Sequence, residues 1–185
     1  MMIKEELAKS ITDTLFSREG MNVFAVLDGA SVPDLQQVLY QHQPEFVCLY
    51  RGQLEPDLAS VAPYLVHVRS NTPLADWIIR SGWGEHWGIF ALSDTDLITM
   101  RKHFRKFLTV HDNDGKPLLF RYYDPRVLRI YLPTCNAEEL QTIFGPISTY
   151  LVEGEDANTV LSFQFDKNEL QQQQKSLTAT ASQGG

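Results

Sequence analysis

Met21-Asn22-Val23-Phe24-Ala25-Val26-Leu27 runs into Asp28-Gly29-Ala30, and Phe46-Val47-Cys48-Leu49-Tyr50 runs into Arg51-Gly52. Each apolar run is almost unbroken, the pattern of a strand covered on both faces rather than on one. Between them, Ser31-x-x-Asp34 has the spacing of a capping box and Pro33 sits in the first turn. Leu35, Val38 and Leu39 then share one face of a helix that ends near Gln43-Pro44. A helical crossover between two buried strands usually builds a right-handed parallel unit. The expected fold class is therefore α/β, a single domain with a mixed sheet flanked by helices, starting as a parallel strand-helix-strand unit and continuing in antiparallel hairpins.

Outward from this start, Ile3, Leu7, Ile11 and Leu15 recur every four residues, which predicts an N-terminal helix packed on the domain within residues 1–20. Downstream, residues 56–63 read as irregular or a single turn and residues 64–68 as a strand. Thr72-Pro73 opens a helix with Leu74, Trp77 and Ile78 on one side. After a strand at 89–92, Ser93-x-x-Asp96 caps a helix whose inner face is Leu97, Met100, Phe104, Phe107 and Leu108. Its last turns, residues 101–106, crowd with basic side chains. Asp114-Gly115 marks a hairpin over 110–120, Asn136-x-x-Glu139 caps a further helix, and 147–152 with 159–165 form a last antiparallel pair. The organisation expected is a helix at 1–20, the α/β domain at 21–166 and a flexible polar tail at 167–185, where Gln171 to Gln174 leave nothing to bury.

The 185 residues, 43% of them hydrophobic, suffice for one core. A net charge of −7 opposes general attraction to nucleic acid or anionic lipid, so neither is expected as a partner. The first residues lack the apolar run of a signal peptide, no segment has the length of a membrane span, and a cytoplasmic location is expected. Cys48 and Cys135 stand far apart, and the five histidines show no metal-ligand spacing, so no metal, cofactor or disulfide framework is indicated.

Two stretches are dense in side chains that can do more than pack. Ser81-Gly82-Trp83-Gly84-Glu85-His86-Trp87-Gly88 combines glycines with indoles; such tryptophans are core in most proteins, and good binding anchors where they are exposed. The second, Phe120-Arg121-Tyr122-Tyr123-Asp124-Pro125-Arg126, turns from a strand into a helix whose N-cap is Asp124 and whose first residue is Pro125. Arg121, Asp124 and Arg126 meet at that corner, where a carboxylate can accept helix N–H groups and a guanidinium fork. A hydrolase site assembled from a serine, His86 and Asp124 is the enzymatic alternative, without a strained nucleophile turn to support it. The basic helix end is a solvated face or a docking surface for an acidic partner.

Taken in order, Val26-Leu27-Asp28-Gly29-Ala30, Ala62-Pro63-Tyr64-Leu65-Val66, Gly82-Trp83-Gly84 with Trp87-Gly88-Ile89, Phe120 through Leu128, and Phe144-Gly145-Pro146-Ile147 resemble the DUF4123 family over residues 21–165. Its members are known as adaptor chaperones of the bacterial type VI secretion system, which hold a toxic effector and help load it onto the VgrG spike tip. The resemblance implies a non-enzymatic role, no cofactor, a cytoplasmic site before firing, and an effector protein and VgrG as partners. With it, the partner surface is expected to use Trp83, His86, Trp87, Arg121, Tyr123 and Arg126.

Overall fold

In the computed structural model, which describes residues 3–177, a seven-stranded sheet divides the chain into layers. Its strands are β1 (Asn22–Asp28), β2 (Phe46–Cys48), β3 (Pro63–Val68), β4 (Gly88–Ser93), β7 (Thr149–Glu153), β8 (Thr159–Asp166) and β9 (Glu169–Ser176), in the order β2-β3-β1-β4-β7-β8-β9. A separate hairpin joins β5 (Thr109–His111) to β6 (Pro117–Leu119). The helices are α1 (Glu5–Leu15), α2 (Leu35–His42), α3 (Pro56–Val61), α4 (Pro73–Gly82), α5 (Leu97–Phe104), α6 (Pro125–Tyr131) and α7 (Ala137–Phe144).

The α/β class holds, but the parallel start does not: every ladder among the described residues is antiparallel. β1 and β2 do run in the same direction. They leave one strand's width between them, and β3 fills it, pairing Ala25 and Phe46 on opposite sides of Val66. The reason is that an unbroken apolar run reports burial of both faces and carries no information about the direction of its neighbour.

β2, at the edge of the sheet, is only half-buried, whereas both faces of β1 are indeed covered. On one, Leu7, Ile11 and Leu15 of α1, Leu35 and Leu39 of α2 and Ile78 and Ile79 of α4 pack on Val23, Ala25 and Leu27. On the other, Met100 and Phe104 of α5, Leu128 of α6 and Leu140 and Phe144 of α7 pack on Phe24, Val26, Tyr150 and Phe163. Alternate residues of β1 thus serve different cores, and each buried side chain of this size contributes about 1.5–3 kcal/mol.

The starts of α5, α6 and α7 follow local capping chemistry, and that of α2 does not. Asp124 accepts from the Arg126 N–H with Pro125 in the first turn, and Asn136 with Glu139 forms the reciprocal capping box. Asp96 caps α5 through Thr99, while Ser93 turns instead to the Pro146 carbonyl. At α2 the box is missing: Asp34 has a left-handed φ of 53° and no side-chain cap, and Ser31 Oγ donates to Asp28 at 2.7 Å. Residues 56–61 form a short helix where irregular chain or a single turn was expected, and the strand before the corner stops at Leu119.

The polar tail expected at 167–185 is also corrected. Lys167 and Asn168, with φ of 49° and 64°, make the two-residue turn that suits a hairpin, and β9 pairs with β8 from Asp166↔Glu169 to Thr159↔Ser176. Glutamines are tolerated because an edge strand takes its support from backbone bonds to one neighbour while its side chains stay wet. The remaining residues assigned to the tail, 178–185, and residues 1–2 lie outside those described.

Candidate functional site

The register Leu27↔Gly88 on one side of β4 and Phe90↔Leu151 on the other brings the C-terminal ends of β1 and β7 to the same end of the sheet, beside the start of β4. Here the motifs singled out in the sequence converge. Asp28, Glu153 and Asp124 are only 2%, 4% and 6% exposed. A buried carboxylate costs several kcal/mol unless it is paired and hydrogen-bonded, and each of the three is.

Asp28 accepts from the Ala30 N–H at 3.1 Å, from Ser31 Oγ and from the Arg121 guanidinium, while its own N–H donates to the Trp87 carbonyl at 2.8 Å. Glu153 receives the Gly84 N–H at 2.6 Å, the His86 N–H at 3.2 Å and the His86 ring through Nδ1. Its main-chain carbonyl is held by Arg129 at 2.9 Å. Burial raises the Glu153 carboxyl above the ordinary range, and the Gly84 N–H and His86 oppose that rise. Asp124 takes Arg126 as a fork, Nε at 3.0 Å and Nη2 at 2.7 Å, in addition to the Arg126 main-chain N–H. Burial works against its ionisation, yet the Arg126 bonds outweigh it and hold the Asp124 carboxyl below its usual value.

The expected anchors separate into two groups. Trp83, Trp87 and Tyr123 are buried and belong to the cores, which corrects their assignment to a partner surface. Trp83 Nε1 donates to the Ala157 carbonyl at 2.8 Å, and Trp87 lies 4.7 Å from Trp77 between ring centres. The glycines around them admit close approach: at Gly88 an added Cβ would stand 2.1 Å from the Val26 carbonyl oxygen, and Gly84 has φ +88°. His86, Arg121 and Arg126 keep part of their side chains in solvent, at 35%, 43% and 53%. Arg121 pairs with Asp28 across the sheet end and not with Asp124, as the sequence corner suggested.

Asp28, Glu153 and Arg129 are the members that sequence reading missed as parts of one cluster. The signal for Glu153 was an acid directly after Tyr150-Leu151-Val152, at a place read as the beginning of a turn. The His86–Asp124 half of a hydrolase arrangement does not form, since His86 is engaged by Glu153 and Asp124 by Arg126. The cavity that reaches Glu153, between Trp83, Trp87 and Phe90, measures about 10 Å³, room for one water at most. The basic end of α5 is partly structural too: Arg105 donates to the Cys48 and Leu49 carbonyls, and buried His103 bonds the Ile143 carbonyl at 2.7 Å.

Beside the Asp124–Arg126 pair lies an open groove of about 550 Å³, lined by that pair together with Phe120, Val127, Ile130, Tyr131 and Thr134. Ile130 is 73% exposed, and Leu118 and Leu119 of the adjacent hairpin are exposed as well. Among the described residues no helix is long and apolar enough to cross a membrane.

Residues 23–142 match the model of the family described as Domain of unknown function (DUF4123). Glycine--tRNA ligases of Staphylococcus aureus strains JH9 and Newman are 34% identical over 107 residues, covering 54% of this chain and 20% of the ligase. The chain therefore spans about one fifth of the length of these curated relatives. No solved structure matches it.

Proposed function

We propose that this chain, which belongs to the DUF4123 family, is an adaptor chaperone that holds a type VI secretion effector in the cytoplasm and assists its loading onto the VgrG spike tip. The family resemblance supplies the partners, and one observation on the molecule supports a binding role. The charged cluster spends its carboxylates on fixing loops, while the groove beside Asp124 and Arg126 is open and lined mainly by Phe120, Val127, Ile130 and Tyr131. Exposed aromatic and aliphatic side chains next to an arginine are the composition of protein-binding hot spots. Partner contact is assigned to Arg121, Arg126 and His86 with the Ile130 face of α6, and Trp83, Trp87 and Tyr123 form the platform beneath.

The test is co-expression with the protein encoded by the adjacent reading frame, followed by pull-down of the complex. Ile130→Glu combined with Arg126→Ala is expected to lower capture at least tenfold while the thermal melt stays within a few degrees of the parent. Undiminished capture by that variant moves the contact elsewhere, and turnover of a small molecule by the purified protein overturns the adaptor reading.

A further inference from the structure

The two edges of the large sheet are built differently. β2 is three residues long, and the Arg105 guanidinium donates to the Cys48, Leu49 and Tyr50 carbonyls at its end. β9 is eight residues long, contains no proline, and is the last strand of the sheet among the described residues. Long unblunted edges offer a template for another strand.

The phase of that edge follows from the hairpin. With a two-residue turn at Lys167-Asn168, the closing pair Asp166↔Glu169 exchanges bonds, and the Leu177 N–H still donates to the Asn158 carbonyl at 2.7 Å. Odd-numbered residues of β9 therefore direct their backbone groups to β8, and Leu170, Gln172 and Gln174 direct theirs outward. A second strand pairs outward residues with outward residues, which restricts the antiparallel registers a two-fold copy can take. The one with Gln172 opposite itself sets Leu170 against Gln174 and Gln171 against Gln173. At both ends it sets Glu169 against Lys175. Those two charges share a face of the strand, both are exposed, and among the described residues Lys175 makes a 3.3 Å contact to Thr14 Oγ1. The edge is thus self-complementary in phase, charge and amide hydrogen bonding.

We infer that β9 is an interface for a second copy of this chain, joining two sheets edge to edge about a two-fold axis at Gln172. This inference is independent of the adaptor role. A ladder from Glu169 to Lys175 is at the small end of specific interfaces, so the dimer is expected to be concentration-dependent.

Sedimentation equilibrium of the full chain over a hundredfold concentration range, at low salt, reads the association directly. Gln172→Pro removes only an outward N–H and is expected to leave a monomer throughout. Glu169→Lys alone is expected to weaken association about tenfold, and Glu169→Lys with Lys175→Glu to restore it, which separates lost pairing from lost folding. Gln172→Cys is expected to give an oxidised dimer on non-reducing gels that neither the parent nor Gln173→Cys gives. A wild-type chain that stays monomeric at every concentration overturns the interface, as does a dimer indifferent to both Gln172→Pro and the charge reversal.

Discussion

The loop from Gly82 to Gly88 and the corner from Arg121 to Arg126 each bury two large aromatic side chains, and they differ in how they meet a buried carboxylate. In the loop, the rings go inward and a carboxylate from another strand, Glu153, comes to the backbone. In the corner, Tyr122 and Tyr123 go inward, and the two guanidiniums stay at the surface while reaching down to buried carboxylates. Glycine explains the difference. A main chain that can pass within contact of β1 at Gly88 lets its neighbouring indoles fill the space below it. Arginine has the reverse tendency, covering apolar surface with its stem and keeping its head wet.

If the loop is a packed lock, its removal costs more than anything at the corner. Trp83→Ala is expected to cost about 3–5 kcal/mol and to lower the thermal midpoint sharply, as followed by circular dichroism. A loss near zero would make the loop a surface feature after all. Glu153→Ala comes next, at about 2–4 kcal/mol, because the Gly84 and His86 N–H groups are left without an acceptor. Its pH signature is distinct. A carboxyl whose folded value is raised binds its proton more tightly in the folded state, so it erodes stability as pH rises from about 4.5 through that folded value. Glu153→Gln is expected to flatten this part of the stability profile in urea melts at successive pH values.

Much of the framework was legible because it is local. The periodicity of Leu7, Ile11 and Leu15 in α1, the Asn136 capping box of α7 and the Asp124-Pro125 start of α6 are short-range patterns, and each stands where the residues put it. What was not legible is pairing. The β2-β3-β1 order depends on which strand enters the gap beside β1, and no residue of β1 encodes that. β9 was read as tail because composition reports side chains, whereas a glutamine strand is held by backbone bonds to β8. The charged cluster was half legible for the same reason: Asp124 with Arg126 is two residues apart, while Asp28 with Arg121 and Glu153 with His86 are 93 and 67 apart.

The corner supplies the smaller effects. Arg121→Ala leaves Asp28 with the Ala30 N–H and Ser31 among the described residues, and about 1–3 kcal/mol is expected, less than a sealed pair would lose because the Arg121 side chain is 43% exposed. Lys at this position should recover part of the loss in chemical denaturation.

Arg126→Ala sharpens the comparison most, because stability and binding are expected to part company there. Its side chain is 53% exposed, which limits its share of folding stability to about 1 kcal/mol or less, and Asp124 keeps the main-chain N–H that starts α6. The Asp124 carboxyl, held below its usual value in the folded state, contributes stability above the ordinary aspartate range that is lost as pH falls through the folded value. Without the fork that loss should begin at higher pH, visible as an acid limb displaced upward in melts below pH 5. Partner capture at pH 7, by contrast, is expected to fall severalfold, since the same side chain lines the open groove beside α6. A variant that loses stability as heavily as Trp83→Ala would show the corner to be a second lock, and the exposed face of α6 would then stand without its charged neighbour.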